Sequence, residues 1–173
     1  HPVDYAKQLG NITVRRAVES SQNIPFVEIM EELKPKNAIK YMEKMGISTL
    51  TKEDESLVLA LGGLQVGISP LEMAAGYATI ANDGEYIEPV FYSRIDNKSG
   101  ENILEPKQET RRVFSKEVAY ILKSILTQPV VGSNGTATYC KISGVDVAGK
   151  TGTTDENYDR WVCGFTPYYT AVT

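Results

Sequence analysis

Ser69-Pro70-Leu71-Glu72 opens the stretch that most constrains how this chain can fold. Ser at the cap, Pro at the first helical position and Glu at the third spell a capping box. The residues that follow, Leu71, Met73, Ala74, Ala75, Tyr77, Ala78 and Ile80, are apolar almost all round the helix. A helix without a polar face must be covered by other elements, so this one is expected to be buried and to end at Asn82-Asp83-Gly84. The 173 residues suffice for one domain with a core that does this. No apolar run, not even Leu57 to Leu64, approaches the roughly 20 residues of a membrane span.

The flanking pattern is α+β. Thr13 is expected to cap a helix through Val14, Arg15, Arg16, Ala17 and Val18, stopping at Glu19-Ser20-Ser21-Gln22-Asn23. A second helix is expected from Pro25, carrying Phe26, Val27, Ile29 and Met30, and a third over Asn37 to Met45 with Gly46 closing it. Gly62-Gly63 and Gly67 mark a bend. Val90 to Ile95 and Ile103-Leu104 read as strands joined by the turn Asp96-Asn97-Lys98-Ser99-Gly100. Ser115 caps a further helix with Val118, Ile121, Leu122 and Ile125 on one stripe. After a Gly-, Ser- and Thr-rich loop, Val145 to Thr154 and Trp161 to Thr173 read as two strands, with Trp161 and the Tyr168-Tyr169 pair packing within them. Helices first, then a hairpin, a helix and antiparallel-looking strands, with no repeats, suggest α+β rather than βαβ winding. The start at His1-Pro2-Val3-Asp4 and the strand-like end at Val172-Thr173 read as cut ends, so the chain is expected to be a piece of a domain.

Composition narrows the chemistry. One His and two Cys leave no metal-ligand cluster and disfavour a His-based triad, so Ser, Thr, Lys, Asn or carboxylates must carry any reaction. A net charge of -4 offers no basic surface for nucleic acid. Cys140 and Cys163 build no disulfide framework, and whether they pair is open.

Gly144-Val145-Asp146-Val147-Ala148-Gly149-Lys150-Thr151 satisfies the spacing of a phosphate-binding loop. Its surroundings do not. Val145 and Val147 alternate like a strand, Asp146 would bring negative charge among phosphates, and no helical period follows Thr151. Read as a strand, Lys150-Thr151-Gly152-Thr153-Thr154 turns Lys150 toward a cleft, offers hydroxyls to a carboxylate and, at Gly152, admits close approach of a ligand. Far upstream, Ser21-Gln22-Asn23 sits between two helices, where Ser and Asn two apart either face one cleft or merely cap helices.

Together these S-x-N and K-T-G elements resemble the penicillin-binding proteins, the serine D,D-transpeptidases that share a fold with β-lactamases. The resemblance extends from Val14 through Pro25, over Gly62-Gly63-Leu64-Gln65-Val66-Gly67-Ile68-Ser69-Pro70-Leu71-Glu72-Met73-Ala74 to Asn82-Asp83-Gly84, and from Ala148 through Asp159-Arg160-Trp161 to Gly164-Phe165-Thr166-Pro167. It is closest to the bifunctional, class A members. It implies an antiparallel sheet packed with helices, incomplete at both ends, and acyl transfer on the D-Ala-D-Ala end of a peptidoglycan stem peptide, with β-lactam antibiotics as inhibitors and no cofactor. By matching position, Ser21 relays protons, Asn23 holds a substrate amide and Lys150 supplies charge. Thr151, Gly152, Thr153 and Thr154 form the substrate-binding strand, and the Thr153 N–H supplies half an oxyanion hole. The family's nucleophile lies in an S-x-x-K motif, and no serine here has Lys three residues later. It is expected before His1, in a missing N-terminal part of the same domain, as a final strand and helix are expected after Thr173. The chain alone is therefore expected to be inactive. The resemblance places the intact protein on the outer face of a bacterial plasma membrane. A D,D-carboxypeptidase, a β-lactamase-like hydrolase or a non-enzymatic β-lactam sensor are the alternatives.

Overall fold

The buried helix is where the chain's parts converge. In the computed structural model, which describes residues 9–173, α4 (Pro70–Ala81) packs on three separate elements of sheet and on a further helix. Its N-terminus is fixed as expected: Ser69 Oγ accepts the Glu72 N–H at 3.2 Å, and Glu72 accepts back from the Ser69 N–H and hydroxyl. The same carboxylate also takes the N–H and hydroxyl of Ser48, at 2.9 and 2.7 Å, so it anchors the segment after the third helix as well. Only Pro70 and Leu71, at the open end of α4, are exposed, while Ala75, Gly76 and Thr79 are buried.

Ahead of it lie α1 (Val14–Glu19), α2 (Ile24–Leu33) and α3 (Pro35–Lys44). Ala38 and Ile39 of α3 bury against Leu59, in the 3-10 turn Leu57–Leu61, with Met30, Met42, Leu50 and Leu64 around them. Beneath that turn the buried carboxylate of Asp54 accepts the N–H groups of Thr51 and Gln65, and these bonds, Thr51 first, hold its pKa down. A second cluster joins α4 to a small sheet: Ala75 packs on Tyr86 of β1 (Glu85–Ile87) and on Val113, just past β4 (Thr110–Arg112). Gly46 is required twice here. Its φ is +88°, and a Cβ would stand 2.5 Å from the Tyr86 hydroxyl.

β2 (Ile95–Asp96) and β3 (Asn102–Leu104) form the expected hairpin, but residues 90–94 are irregular. Val90 and Phe91 are exposed and have no strand partner to reward extension, which corrects the reading of Val90 to Ile95 as one strand. The β1–β4 pair lay outside the expectation altogether.

α5 (Lys116–Leu126) is capped by Ser115 as expected, but its inward line differs. Val118 and Ile121 are 44% and 55% exposed, whereas Ala119 is fully buried. Ala119 and the equally buried Ala17 leave little bulk between α1 and α5, and Arg15 ties the two helices by donating to Ser124 O and Oγ at 2.8 and 2.9 Å. A short α6 (Gln128–Val131) follows and packs on α1 and on the last sheet.

That sheet is a meander: β5 (Ala148–Thr153), β6 (Arg160–Phe165) and β7 (Thr170–Val172), all antiparallel, with β5 at one edge. The expected strand Val145 to Thr154 therefore begins later, and Trp161 to Thr173 is two strands. Tyr168 and Tyr169 lie in the turn between these, 78% and 79% exposed, and do not pack within a strand. Thr166 makes that turn by accepting both tyrosine N–H groups on its hydroxyl. The His1-Pro2-Val3-Asp4 start lies outside the described residues.

Because Glu72 closes two junctions at once, its pKa is held down to about 2, chiefly by the Ser48 hydroxyl and N–H. A carboxyl depressed in the fold stabilises above its ordinary value near 4.5 and loses that contribution as pH falls toward 2. Glu72→Gln is expected to flatten the acid limb of stability between those pH values, and Ser69→Ala to cost about 1 kcal/mol at neutral pH, both read by urea unfolding.

Candidate active site

The turn between α1 and α2 is a Schellman closure. The Gln22 N–H reaches Ala17 O at 3.0 Å and the Ser21 N–H reaches Val18 O at 3.3 Å, which leaves Ser21 left-handed, at φ +52°. Glycine is the usual occupant of that position, and serine there carries strain. What the side chain gains is a direction. Its hydroxyl accepts Lys150 Nζ at 2.8 Å, from 129 residues further along the chain.

Lys150 reaches Ser21 because β5 is an edge strand. Lys150 pairs with Cys163 of β6, while Thr151 lies opposite Val162, whose own backbone bonds go to Thr173 at 2.8 and 3.0 Å. Thr151 therefore turns its N–H and C=O to the open edge, and so by alternation does Thr153. Lys150 Nζ curls over that edge to Thr151 O at 2.8 Å as well as to Ser21. Among the described residues no ion pair involves Lys150, and burial pulls its pKa down to about 8, against a smaller opposing pull from Cys163. Burial pushes the Cys163 thiol up to about 11 and the Tyr77 phenol, on α4, upward too. Of these three neighbours Lys150 releases its proton first.

The remaining expected residues divide. Asn23 caps α2 by position, its backbone φ and ψ at -84° and -45°, two residues from Ser21 on the same turn. Thr151 directs its hydroxyl onto that of Thr136 at 2.8 Å. Thr153 is exposed on the same face of β5. Around Gly152 the protein itself is not crowded, since a Cβ would meet only Trp161 Cβ at 3.4 Å. Thr154 closes the β5–β6 connection: its hydroxyl accepts the Asp159 N–H at 2.8 Å and its N–H reaches Asp159 O at 3.1 Å. Lys150 sits within β5 and no helix opens there, so the phosphate-loop spacing is coincidental. Cys140 and Cys163 are both free thiols. Cys163, Tyr77 and Thr136 were not found from sequence. The Cys163 position was within reach by pairing residues outward from the 154–159 turn, but Tyr77 reads only as one more apolar position of α4.

A partly buried lysine amine is thus held on a serine hydroxyl beside an open strand edge, where backbone N–H groups face outward. The fold and these joined motifs point to one family of transpeptidase domains. The family model for the penicillin binding protein transpeptidase domain matches residues 1–172, and the chain belongs to that family. Among its relatives, penicillin-binding protein 1F of Bacillus subtilis is 39% identical over 167 residues, 93% of this chain and 22% of the relative. Penicillin-binding protein 1A of Clostridium botulinum is 37% identical over 164 residues, 94% of this chain and 20% of the relative. The chain thus spans about a fifth of the length of the curated relatives it matches. Two solved structures share the fold: PonA1 of Mycobacterium tuberculosis, with TM-score 0.82 and 22% identity over 98% of this chain and 48% of that one, and penicillin-binding protein 1A of Haemophilus influenzae, with TM-score 0.81 and 21% identity over 99% of this chain and 33% of that one. The expected fold holds.

Two measurements follow from this geometry. Ser21→Gly and Ser21→Ala both delete the hydroxyl, but only alanine keeps the left-handed strain, so the glycine variant is expected to be more stable by about 1 kcal/mol in urea unfolding. With 13C-labelled lysine, NMR of the full-length protein is expected to show a side chain titrating near pH 8 whose signal disappears in Lys150→Arg.

Proposed function

We propose that this chain supplies two walls of a serine D,D-transpeptidase site that crosslinks peptidoglycan stem peptides, the reaction β-lactam antibiotics block. The observation that carries it is the 2.8 Å bond from Lys150 to Ser21, which joins the K-T-G and S-x-N elements at one point. The nucleophilic serine and its lysine come from an S-x-x-K segment outside these 173 residues, because none occurs within them. That serine attacks the carbonyl of the penultimate D-Ala, the terminal D-Ala leaves as an amine, and the amine of a second stem peptide takes the acyl group.

Each residue has a part in that sequence. Ser21 passes a proton between the nucleophile's lysine and the leaving amine, and a lysine poised near 8 on its hydroxyl keeps this network able to exchange protons at neutral pH. Asn23, two positions along the turn, holds an amide of the stem peptide. The Thr153 N–H on the open edge of β5 supports the oxyanion, the Thr153 hydroxyl faces the terminal carboxylate, and Thr151 lies on the same face of the strand beside it. Gly152 leaves room for the substrate backbone, and Thr154 keeps the end of β5 in place. The setting is the outer face of a bacterial plasma membrane, where stem peptides lie.

Lys150→Ala in the full-length protein is expected to slow acylation by a fluorescent penicillin by about 10²–10³-fold. Labelling at the wild-type rate would remove Lys150 from the mechanism.

A further inference from the structure

Thr136 belongs to neither motif, yet it receives the hydroxyl proton of Thr151 at 2.8 Å. The loop that carries it has a fixed shape. Glu19 Oε1 accepts the Asn134 N–H at 3.0 Å, the Gly132 N–H reaches Gln128 O at 2.8 Å, and the Ala137 N–H reaches Pro129 O at 2.8 Å. A Cβ on Gly132 would stand 2.4 Å from Glu19 Oε1, and one on Gly135 would stand 2.2 Å from Pro129 O, so the loop lies against its neighbours with no slack. Glu19 is itself buried, is ion-paired to Arg16 at 3.0 Å and stands two residues before Ser21. The helix whose C-terminal turn carries Ser21 therefore also sets where Thr136 stands, while Ala137 beside it is only 1% exposed.

A threonine hydroxyl has one proton to give and two lone pairs to accept with. Thr151 gives its proton to Thr136, so the pair has one proton left to offer, and it is on Thr136. Among the described residues that proton has no acceptor, and Thr136 is exposed at the edge beside β5. Resting on the transpeptidase reading, we propose that Thr136 is a substrate-binding residue that donates the outward hydrogen bond of the Thr151–Thr136 pair to the substrate's terminal carboxylate. The anion site is then built from two segments, the K-T-G strand and the loop ahead of it. Thr151 serves as the partner that orients the donor.

The test uses the full-length protein and two acylating agents, benzylpenicillin, with a free carboxylate, and its methyl ester, without one. Thr136→Val and Thr136→Ala are each expected to slow acylation by benzylpenicillin about tenfold or more while leaving the ester's rate near that of the wild type. Thr136→Ser, which keeps the hydroxyl, is expected to stay close to wild type with both. Unchanged rates in the valine and alanine variants, or equal slowing with both agents, overturn the assignment. A wild-type protein acylated by neither agent overturns the transpeptidase reading instead, and this assignment with it.

Discussion

The organisation of this chain depends on holding a lysine amine out of water against one hydroxyl. An ammonium loses much of its hydration when buried, and among the described residues Lys150 regains part of it from Ser21 and its own strand's carbonyl. The balance works only if both partners stay within about 3 Å. That requirement accounts for features with no other evident reason: the serine in a left-handed position that favours glycine, the edge placement of β5, and the packing of α1 through the small residues Ala17 and Ala119 onto the helices that support β5. Strain at Ser21 and desolvation at Lys150 both lower stability, and both bear on the same bond.

The helices and their ends were legible in the sequence because their signals are local. Thr13, Ser69 and Ser115 each cap the helix expected of them, and Gly46 stands where a positive φ is needed. Strands were less legible. Val90 to Ile95 has the composition of a strand but lacks a partner over most of its length, and the Tyr168-Tyr169 pair has the composition of a strand interior yet forms a turn. A strand exists only where another is brought beside it, and composition does not carry that information. The pairing of β1 with β4 spans the whole β2–β3 hairpin, so nothing near either segment announces it.

The site divides along the same line. Ser21, Asn23 and Lys150 were read from short motifs whose meaning came from a family resemblance, and the structure brings Ser21 and Lys150 into contact. Residues that act through distance from other elements stayed hidden. Thr136 lies in a loop whose glycines and threonines look like ordinary surface sequence, and Glu19 looks like one more polar residue in a helix stop, although it is buried and binds that loop. Thr154 shows the converse, a motif residue whose hydroxyl is engaged in closing a turn.

The two connections between α1 and β5 have a mechanical consequence. Lys150 to Ser21 is one; Glu19 to the 132–137 loop and on through Thr136 to Thr151 is the other. A helix pinned to a sheet at a single point can still swivel about it. Pinned at two points it cannot, so the groups on the helical turn and those on the strand edge keep their mutual angle as well as their separation. Severing either pin would leave that angle to the packing of α1 on α5 and α6 and to the Arg15–Ser124 bonds.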